Sequence, residues 1–298
     1  MLFTSIKPML LSMGSEIHND LNNLYDIKWD GWRILLHKQG NRIEAYTRHG
    51  NRVTDQFPEL EQIVPHIKTE IAILDCEGVV IRDGVSVFED FQYRGRLRSN
   101  HKIESAMVSH PVTFVAFDVL ATEKPLLKLP LYERKQILSD IIIPSNQIVP
   151  TPYIIEDGES LFQITKEKGM EGIVAKPLSS IYQVGVRSAE WLKYKHFKRM
   201  KTIILGYKEN PFSMIVGMKQ NGNITPVAQV EFGFSIEEKQ AFRNIAKEII
   251  TNKADNVYWI DPVLCCEVQY LEKTENQKLR IVSFKGFAFD VKPEECAI

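Results

Sequence analysis

The segment Lys28-Trp29-Asp30-Gly31 places a lysine directly before an Asp-Gly turn. Aromatic and β-branched residues lead into this turn, which predicts that Lys28 stands at the end of a strand. A lysine attacks only as the free amine, so neighbouring cations or desolvation must lower its pKa from about 10.4. We therefore take Lys28 as a candidate nucleophile. The alternative is an exposed lysine in an ordinary hairpin, because so short a motif has a high false-positive rate.

Two carboxylates interrupt apolar segments that otherwise read as buried strands. Glu77 follows Ile71-Ala72-Ile73-Leu74-Asp75-Cys76, and Glu171 precedes Gly172-Ile173-Val174-Ala175-Lys176. Carboxylate oxygens fixed on strands are suited to Mg²⁺. Phe117, in a third apolar segment, offers a flat face to a purine. Taken singly, each of these residues is better explained as structural, either as a buried carboxylate or as core packing.

Five cations are placed to surround a triphosphate and to lower the pKa of Lys28. They are Arg33, Arg48, Arg187, Lys193 and Lys195. For the lysines alone, a solvated linker is the alternative explanation.

The composition restricts the function classes only weakly. The 298 residues are 44% hydrophobic, and 37 basic against 38 acidic residues mean that any polyanion site must be local. The four cysteines form no Cys-x-x-Cys pair, which argues against a zinc site or a disulfide framework. No run of about 18 apolar residues occurs, so we expect a soluble, cytoplasmic protein with no membrane partner.

Periodicity and turn signals predict strands, helices and a domain boundary. Strands are predicted over 34–37, 43–47, 71–81, 111–120, 172–176 and 191–195. Helices are predicted over 57–67, 86–98, 131–141 and 159–168. Beyond about residue 200, some five short strands and one helix starting at Ser235, with Glu238 completing a capping box, fit a small barrel of the OB type.

Two segments, 91–102 and 193–201, carry several basic residues and no acid. A solvated face is the explanation favoured by a charge run alone, and the alternative is contact with a phosphate backbone. The residues assigned to DNA on the second explanation are Arg94, Arg96, Arg98, Lys198 and Arg199.

The order of the candidate residues is more specific than any one of them. Lys28, Glu77, Phe117, Glu171 and Lys193 are separated by 49, 40, 54 and 22 residues. This order resembles the ATP-dependent DNA ligases of the covalent nucleotidyltransferase superfamily, over nearly the whole chain. The resemblance implies an α+β fold, in which a nucleotidyltransferase domain of ATP-grasp-like antiparallel sheets and helices (residues 1–199) precedes an OB-type β-barrel domain (residues 200–298).

The same resemblance implies a role for each candidate. Lys28 becomes the adenylylated lysine, Phe117 stacks on adenine, and Glu77 and Glu171 hold the metal. The residues implied to bind nucleotide are Asp26, Ile27, Arg33, Arg48, Glu77, Phe117, Arg187, Lys193 and Lys195. Asp26 stands where many members have glutamate, which puts a contact between this position and adenine in question.

The segment 279–290 resembles the last motif of the family, which orients the pyrophosphate leaving group. Val282 replaces a usual proline and Ala288 a usual arginine. Two alternatives follow: Arg280, Lys285 or Lys292 compensates for the missing arginine, or self-adenylylation is slow.

The implied activity is the sealing of nicks in double-stranded DNA through lysine–AMP and DNA–adenylate intermediates. The implied cofactors are ATP and Mg²⁺, for which Mn²⁺ can substitute. The protein is expected to act as a monomer. The implied processes are DNA repair, replication and recombination. Two enzyme alternatives share the lysine motif, a capping guanylyltransferase and an RNA ligase. An NAD-dependent ligase is disfavoured, because its zinc cysteines have no counterpart. A third alternative is a non-catalytic nucleic-acid-binding module.

Overall fold

Strands carry most of the chain in the computed structural model, which describes residues 2–297. These residues divide into two units, one ending at Lys195 and one starting at His196. The division falls slightly before the boundary predicted from the sequence, because Lys198 and Arg199 already pair with a strand of the second unit.

The first unit contains twelve strands and five helices among its described residues. The strands are β1 (Leu10–Met13), β2 (Asp20–Ile27), β3 (Trp32–Gln39), β4 (Arg42–Thr47), β5 (Ile71–Val79), β6 (Ile81–Arg82), β7 (Val85–Ser86), β8 (Thr113–Ala121), β9 (Ile148–Pro150), β10 (Tyr153–Glu156), β11 (Gly172–Pro177) and β12 (Arg187–Lys195). The helices are α1 (Leu60–Ile63), α2 (Phe88–Arg96), α3 (Asn100–Ser109), α4 (Leu131–Ile141) and α5 (Gly158–Glu167).

Two five-stranded sheets position the candidate residues of this unit. One has the order β1-β12-β11-β2-β10 and the other the order β4-β3-β5-β8-β9, and antiparallel pairs predominate in both. The largest apolar core of the unit includes Ile34, Leu74 and Phe114, from three neighbouring strands of the second sheet. Since β2 and β3 are consecutive in the chain but belong to different sheets, the segment that contains Lys28 joins the two sheets.

The second unit is a coiled sheet with one helix. Its elements are β13 (Lys198–Glu209), β14 (Phe212–Gln220), β15 (Asn223–Val230), α6 (Ile236–Ala246), β16 (Ile250–Ala254), β17 (Val257–Ile260), β18 (Cys265–Tyr270), β19 (Glu272–Lys273), β20 (Leu279–Arg280) and β21 (Ser283–Phe287). The long strand β13 pairs with β18 over its first half and with β17 farther along, while β14 covers its other edge. This is the OB-type domain predicted from the sequence, and the α+β class is confirmed.

Most of the predicted elements are present, and one is wrong in extent. The helix predicted over 131–141 is α4, and Ser235 and Glu238 form the predicted capping box at the start of α6. The helix predicted over 57–67 is reduced to α1 and a 3₁₀ turn at Val64–His66. Pro65 has no N–H and cannot continue an α-helix, which explains the short element. Within residues 2–297, none of the helices combines the length and apolar character needed to cross a bilayer.

A buried ion pair fixes α4 on the second sheet. Arg134 and Asp118 are both fully buried, and the guanidinium Nε and Nη2 donate to the two carboxylate oxygens at 2.8 and 2.9 Å. Arg134 also donates to the carbonyl oxygens of Leu129 and Ser180. Because Asp118 follows Phe117 on β8, this pair ties the helix to the strand that carries the candidate stacking residue.

We expect Arg134→Met to lower the free energy of unfolding by about 3–5 kcal/mol, because Asp118 would keep a buried charge without its partner. In a thermal unfolding experiment this corresponds to a midpoint lower by about 10 °C. The matched control is Arg52→Met, since Arg52 pairs with Asp55 at the surface, where ion pairs contribute about 1 kcal/mol or less. Equal shifts in the two variants would contradict the assignment.

Candidate functional site

Three neighbouring strands bring the candidate lysines to one carboxylate. Lys28 directly follows β2, and its backbone N–H donates to the Gly172 carbonyl oxygen at 2.9 Å. On the other side of β11, Gly172 is in register with Lys195 of β12. Glu171 therefore lies between the two lysines. Its Oε2 accepts from Lys28 Nζ at 2.7 Å, and its Oε1 pairs with Lys195 Nζ at 2.5 Å.

The glycines beside the charged residues allow this close approach. Gly172 has φ of 148°, and a Cβ there would lie 1.9 Å from the Tyr194 carbonyl oxygen of β12. Gly31 passes equally close to β5, since a Cβ would lie 2.0 Å from the Gly78 carbonyl oxygen. Both positions exclude a side chain, so glycine is required where the two backbones approach each other.

The protonation of Lys28 differs from the sequence prediction. Burial by itself lowers the pKa of Lys28, but the negative charge of Glu171 and its hydrogen bond to the amine outweigh burial, so that the pKa lies above its usual value. The prediction that surrounding cations lower the pKa of Lys28 is wrong for this structure, because its immediate partners are carboxylates. Lys193 shows the expected effect instead, since burial and then the charges of Lys195 and Lys28 lower its pKa.

Glu77 lies opposite Arg33 in the register of β5 and β3. Burial raises the pKa of Glu77 to about 8, and the charges of Glu171 and Asp30 add to this, while Lys28 and Arg33 act in the opposite direction. The carboxyl group is therefore mostly protonated at neutral pH.

An open pocket adjoins these charges. Its lining includes Lys28, Glu77, Phe117, Val174 and Trp191. Apolar walls with a few polar groups are typical of small-molecule sites. Phe117 and Val174 supply flat and branched apolar surface, and Ile27 also belongs to the lining.

Arg33 is held rigidly at the same pocket. Its Nε and Nη2 donate to Asp75 Oδ1 and Oδ2 at 2.8 and 2.5 Å, and its Nη1 donates to the Met9 carbonyl oxygen at 2.6 Å. The hydroxyl of Tyr182 donates to Asp75 at 2.6 Å. The guanidinium carbon lies 5.1 Å from the centroid of the Phe117 ring. Sequence reasoning missed the roles of Asp75 and Tyr182, which position the arginine.

Asp26, predicted to contact the nucleotide, is 2% exposed and pairs with two lysines. Its Oδ1 accepts from Lys135 Nζ at 2.6 Å and its Oδ2 from Lys176 Nζ at 2.5 Å. Burial lowers the pKa of Lys135 to about 8, and the charge of Lys176 adds to this, while Asp26 opposes it. Lys176 ends the apolar segment 172–176 that the sequence predicts as a strand, whereas Lys135 on α4 gave no signal.

The remaining predicted phosphate ligands lie at the surface of the first unit. Arg48 is exposed, and its backbone N–H donates to the Arg33 carbonyl oxygen at 3.2 Å. Arg187 is exposed and donates through Nη1 to the Leu11 carbonyl oxygen at 2.5 Å. The chain thus places Arg48 next to the strand of Arg33 and Arg187 next to a residue that lines the pocket.

The predicted leaving-group residues lie in the second unit. Arg280 pairs with Glu272, and Lys285 and Lys292 are exposed. Ala288, at the position of the family's usual arginine, is 6% exposed and packs in a small core that contains Cys265.

One of the predicted DNA contacts is wrong. Arg94 is fully buried, and its guanidinium donates to both oxygens of Glu59 at 2.7 and 2.8 Å, so it has no surface to offer a phosphate. Its position on the inner face of α2 explains the difference. The neighbouring Arg96 and Arg98 are exposed in the first unit, and Lys198 and Arg199 are exposed in the second.

We expect the stability of the metal-free protein to fall between about pH 4.5 and pH 8 through Glu77. The unfolded chain ionises this group near its usual pKa, whereas the folded protein keeps the proton until about pH 8. The folded state therefore binds more protons in this range, which costs at most about 1.4 kcal/mol per pH unit. Glu77→Gln should remove this contribution and be more stable than the wild type at pH 8, as measured by thermal unfolding across the range. Glu104→Gln, at an exposed helix position, is the control, and a parallel pH profile for wild type and Glu77→Gln would refute the prediction.

Comparison with known proteins gives a consistent result. The family model for the ATP dependent DNA ligase domain matches residues 8–195, and that for the ATP dependent DNA ligase C terminal region matches residues 208–291. The Bifunctional non-homologous end joining protein LigD of Bacillus subtilis is 32% identical over 91% of this chain and 47% of its own length. The SPbeta prophage-derived DNA ligase-like protein LigB of Bacillus subtilis is 31% identical over 95% of this chain and 98% of its own length.

Among solved structures, the ligase domain of M. tuberculosis LigD is 27% identical, with a TM-score of 0.59 over 98% of both chains. The chain spans about half the length of the LigD protein of Bacillus subtilis, and nearly the whole of LigB. The first family model covers more than half of the chain, including Lys28, Glu77, Phe117, Glu171 and Lys193. The resemblance noted in the sequence is confirmed: the chain belongs to the ATP-dependent DNA ligase family.

Proposed function

We propose that this protein seals nicks in double-stranded DNA with ATP, through a lysine–AMP intermediate on Lys28. The observation that supports this most directly is the position of Lys28, which lines a pocket with apolar walls while its amine contacts the Glu171 carboxylate. The residues from 1–199 would then form the adenylylation domain, and those from 200–298 the OB-fold domain.

In the first step, the free amine of Lys28 attacks the α-phosphorus of ATP. A nitrogen–phosphorus bond forms, the bond from the α-phosphorus to the bridging oxygen breaks, and pyrophosphate leaves. Lys28 must first give up a proton, which its contact with Glu171 opposes. Positioning and charge neutralisation carry most of the catalysis in such transfers.

The pocket residues suit the parts of ATP. Phe117 would stack on the purine, Ile27 would add apolar contact from the lining, and Arg33 would contact the ribose from its fixed position beside the ring. The phosphates would lie toward the cations of the cleft, which are Arg48, Arg187, Lys193 and Lys195.

The two carboxylates fit a magnesium ion. Glu77 and Glu171 influence each other electrostatically and both offer oxygen ligands, and among residues 2–297 there is no cluster of three His, Cys, Asp or Glu side chains. Mg²⁺ commonly uses one or two carboxylates together with substrate phosphates and water, so two side chains are sufficient. Mn²⁺ accepts the same oxygen ligands. When bound, such an ion would neutralise phosphate charge.

The later steps use DNA as substrate. AMP passes from Lys28 to the 5′-phosphate of a nick, and the adjacent 3′-hydroxyl then displaces AMP and closes the strand. We assign contacts with the DNA backbone to the exposed residues Arg96, Arg98, Lys198 and Arg199. Orientation of the pyrophosphate is assigned to Arg280, Lys285 and Lys292, since Ala288 has no charge and is buried.

The cellular role follows from the same proposal. Two relatives are named for non-homologous end joining and as a DNA ligase-like protein, which favours a role in DNA repair. We also propose that the protein acts as a monomer in the cytoplasm. Replication and recombination stay predictions.

We expect Lys28→Ala to abolish the covalent enzyme–AMP adduct, because the variant lacks the attacking amine. The test is incubation with α-labelled ATP and Mg²⁺, denaturing electrophoresis, and a chase with nicked duplex DNA that should discharge the label as the nick is sealed. Lys168→Ala, at an exposed position after α5, should label as the wild type does. An adduct on Lys28→Ala would overturn the assignment, labelling by GTP alone would favour a capping enzyme, and sealing of nicked RNA alone would favour an RNA ligase.

We expect Arg96→Ala and Arg98→Ala each to weaken binding of nicked duplex and to reduce the salt dependence of log K by about one unit, as loss of a phosphate contact does. Binding is measured by fluorescence anisotropy from about 50 to 200 mM salt. Lys166→Ala, also at an exposed position in the last turn of a helix, is the control. Unchanged salt slopes in both arginine variants would show that this surface is merely solvated.

A further inference from the structure

A buried lysine outside the family motifs contacts the pocket indirectly. Lys135 on α4 is 3% exposed, and its ammonium donates to Asp26 Oδ1 at 2.6 Å. The other oxygen of Asp26 accepts from Lys176 at 2.5 Å. Asp26 and Lys176 belong to the described lining of the pocket, whereas Lys135 does not. Lys135 therefore reaches the carboxylate from behind the pocket wall.

Asp26 and Lys176 each keep hydrogen-bonding positions that their ion pairs do not use. A carboxylate has about four acceptor positions and an ammonium has three donors, so Asp26 can accept further bonds and Lys176 can donate them. Lys176 Nζ also lies 4.8 Å from the centroid of the Phe117 ring, on which the purine is proposed to stack. An acceptor beside a donor complements the 6-amino group and N1 of adenine, while guanine has the reverse pattern along the same edge.

We infer that Lys135 is a positioning residue for base recognition. By holding one oxygen of Asp26, it fixes the direction in which the other oxygen and the Lys176 ammonium face the base. The inference rests on the proposed function, because it takes ATP as the ligand of the pocket. It also accounts for the short side chain at this position, since the Asp26 carboxylate stays close to its own strand, within reach of a lysine from α4.

The surroundings of Lys135 keep its ammonium in place. The preceding residue, Arg134, locks α4 onto β8 through Asp118. The Lys135 ammonium lies 4.9 Å from the centroid of the Tyr153 ring, and Tyr153 is opposite Asp26 in the register of β10 and β2. The helix, the aromatic ring and the carboxylate thus define one position for the ammonium.

Loss of Lys135 should affect base selection more than the chemical step. Lys28 contacts Glu171 and not Asp26, so the nucleophile keeps its surroundings when Lys135 is replaced. Asp26 would keep only Lys176 as an ammonium partner and would be free to rotate about its side-chain bonds. When the recognition group is no longer fixed, the binding free energies of a base that pairs with it and of one that does not become more alike.

The test compares ATP with purine riboside triphosphate, which lacks the 6-amino group. The maximal rate and KM of enzyme–AMP formation are measured for the wild type, Lys135→Met and Lys135→Arg. The control is Lys38→Met, since Lys38 is also a buried lysine of the first unit but donates to the Thr69 carbonyl oxygen. We expect the wild type to prefer ATP by about tenfold or more in rate over KM, because the analogue leaves the acceptor unpaired.

For Lys135→Met we expect this preference to fall to about twofold or less, through a higher KM for ATP, with a maximal rate within about twofold of the wild type. Lys135→Arg, which keeps a charged donor, should recover most of the preference, and Lys38→Met should behave as the wild type. If Lys135→Met does not fold, Lys135→Gln replaces it in the same comparison.

A variant that folds, labels with ATP and keeps the wild-type preference would overturn the inference and leave Lys135 a structural role. So would a wild type with no preference between the two nucleotides. These outcomes are distinct from failure of the proposed function, in which the wild type forms no adduct with any nucleotide and both proposals fall together.

Discussion

The contact of one carboxylate with two lysines organises the site. Glu171 is 8% exposed, and its two oxygens pair with Lys28 and Lys195, which come from strands on either side of β11. A buried carboxylate is costly unless its charge is neutralised and its oxygens are bonded. The strand register of β2, β11 and β12, with Gly172 at the crossing, therefore places Lys28, the proposed nucleophile, and Lys195, a proposed phosphate ligand, on the same anion.

A second layer of buried ion pairs stands behind the pocket. Arg134 with Asp118, and Lys135 with Asp26, join α4 to strands of both sheets. Buried pairs of this kind add little net stability compared with apolar packing, but removal of one partner is expensive. Their effect is to fix side-chain directions, so consecutive residues of one helix determine where Phe117 and Asp26 stand relative to each other.

Sequence reasoning could identify candidate site residues on or beside strands, but not the buried lysine on helix α4. Lys28, Glu77, Phe117 and Glu171 each have a structural explanation when taken singly, and they were recognisable because their order and spacing along the chain resemble one family. Lys135 stands in an amphipathic helix, where a lysine is ordinarily solvent-exposed, so only the packing of α4 shows that it is buried.

The same limitation applies to charge runs. Arg94, Arg96 and Arg98 look alike in the sequence, but helical geometry turns Arg94 inward and Arg96 outward, while Arg98 follows the helix and is exposed. Which arginine meets Glu59 depends on the position of the segment before α1, and that position is set by tertiary packing. The prediction for the pKa of Lys28 failed for a related reason. The sequence shows which cations are available but not that the charge in contact with Lys28 is the Glu171 carboxylate.

The pKa of Lys28 bears on how the reaction can start. With the Glu171 carboxylate beside it, the pKa of the Lys28 amine is raised, so the neutral form that the proposed nucleophile needs is disfavoured. Burial favours the neutral amine, and the charge of Glu171 prevents it. Any group that takes up the charge of Glu171 therefore lets burial and the neighbouring Lys193 and Lys195 act on Lys28 in the direction that nucleophilic attack needs. Of the cations predicted from the sequence, Lys195 shares Glu171 with Lys28 and Lys193 is electrostatically coupled to Lys28, so their effect on Lys28 depends on the state of Glu171.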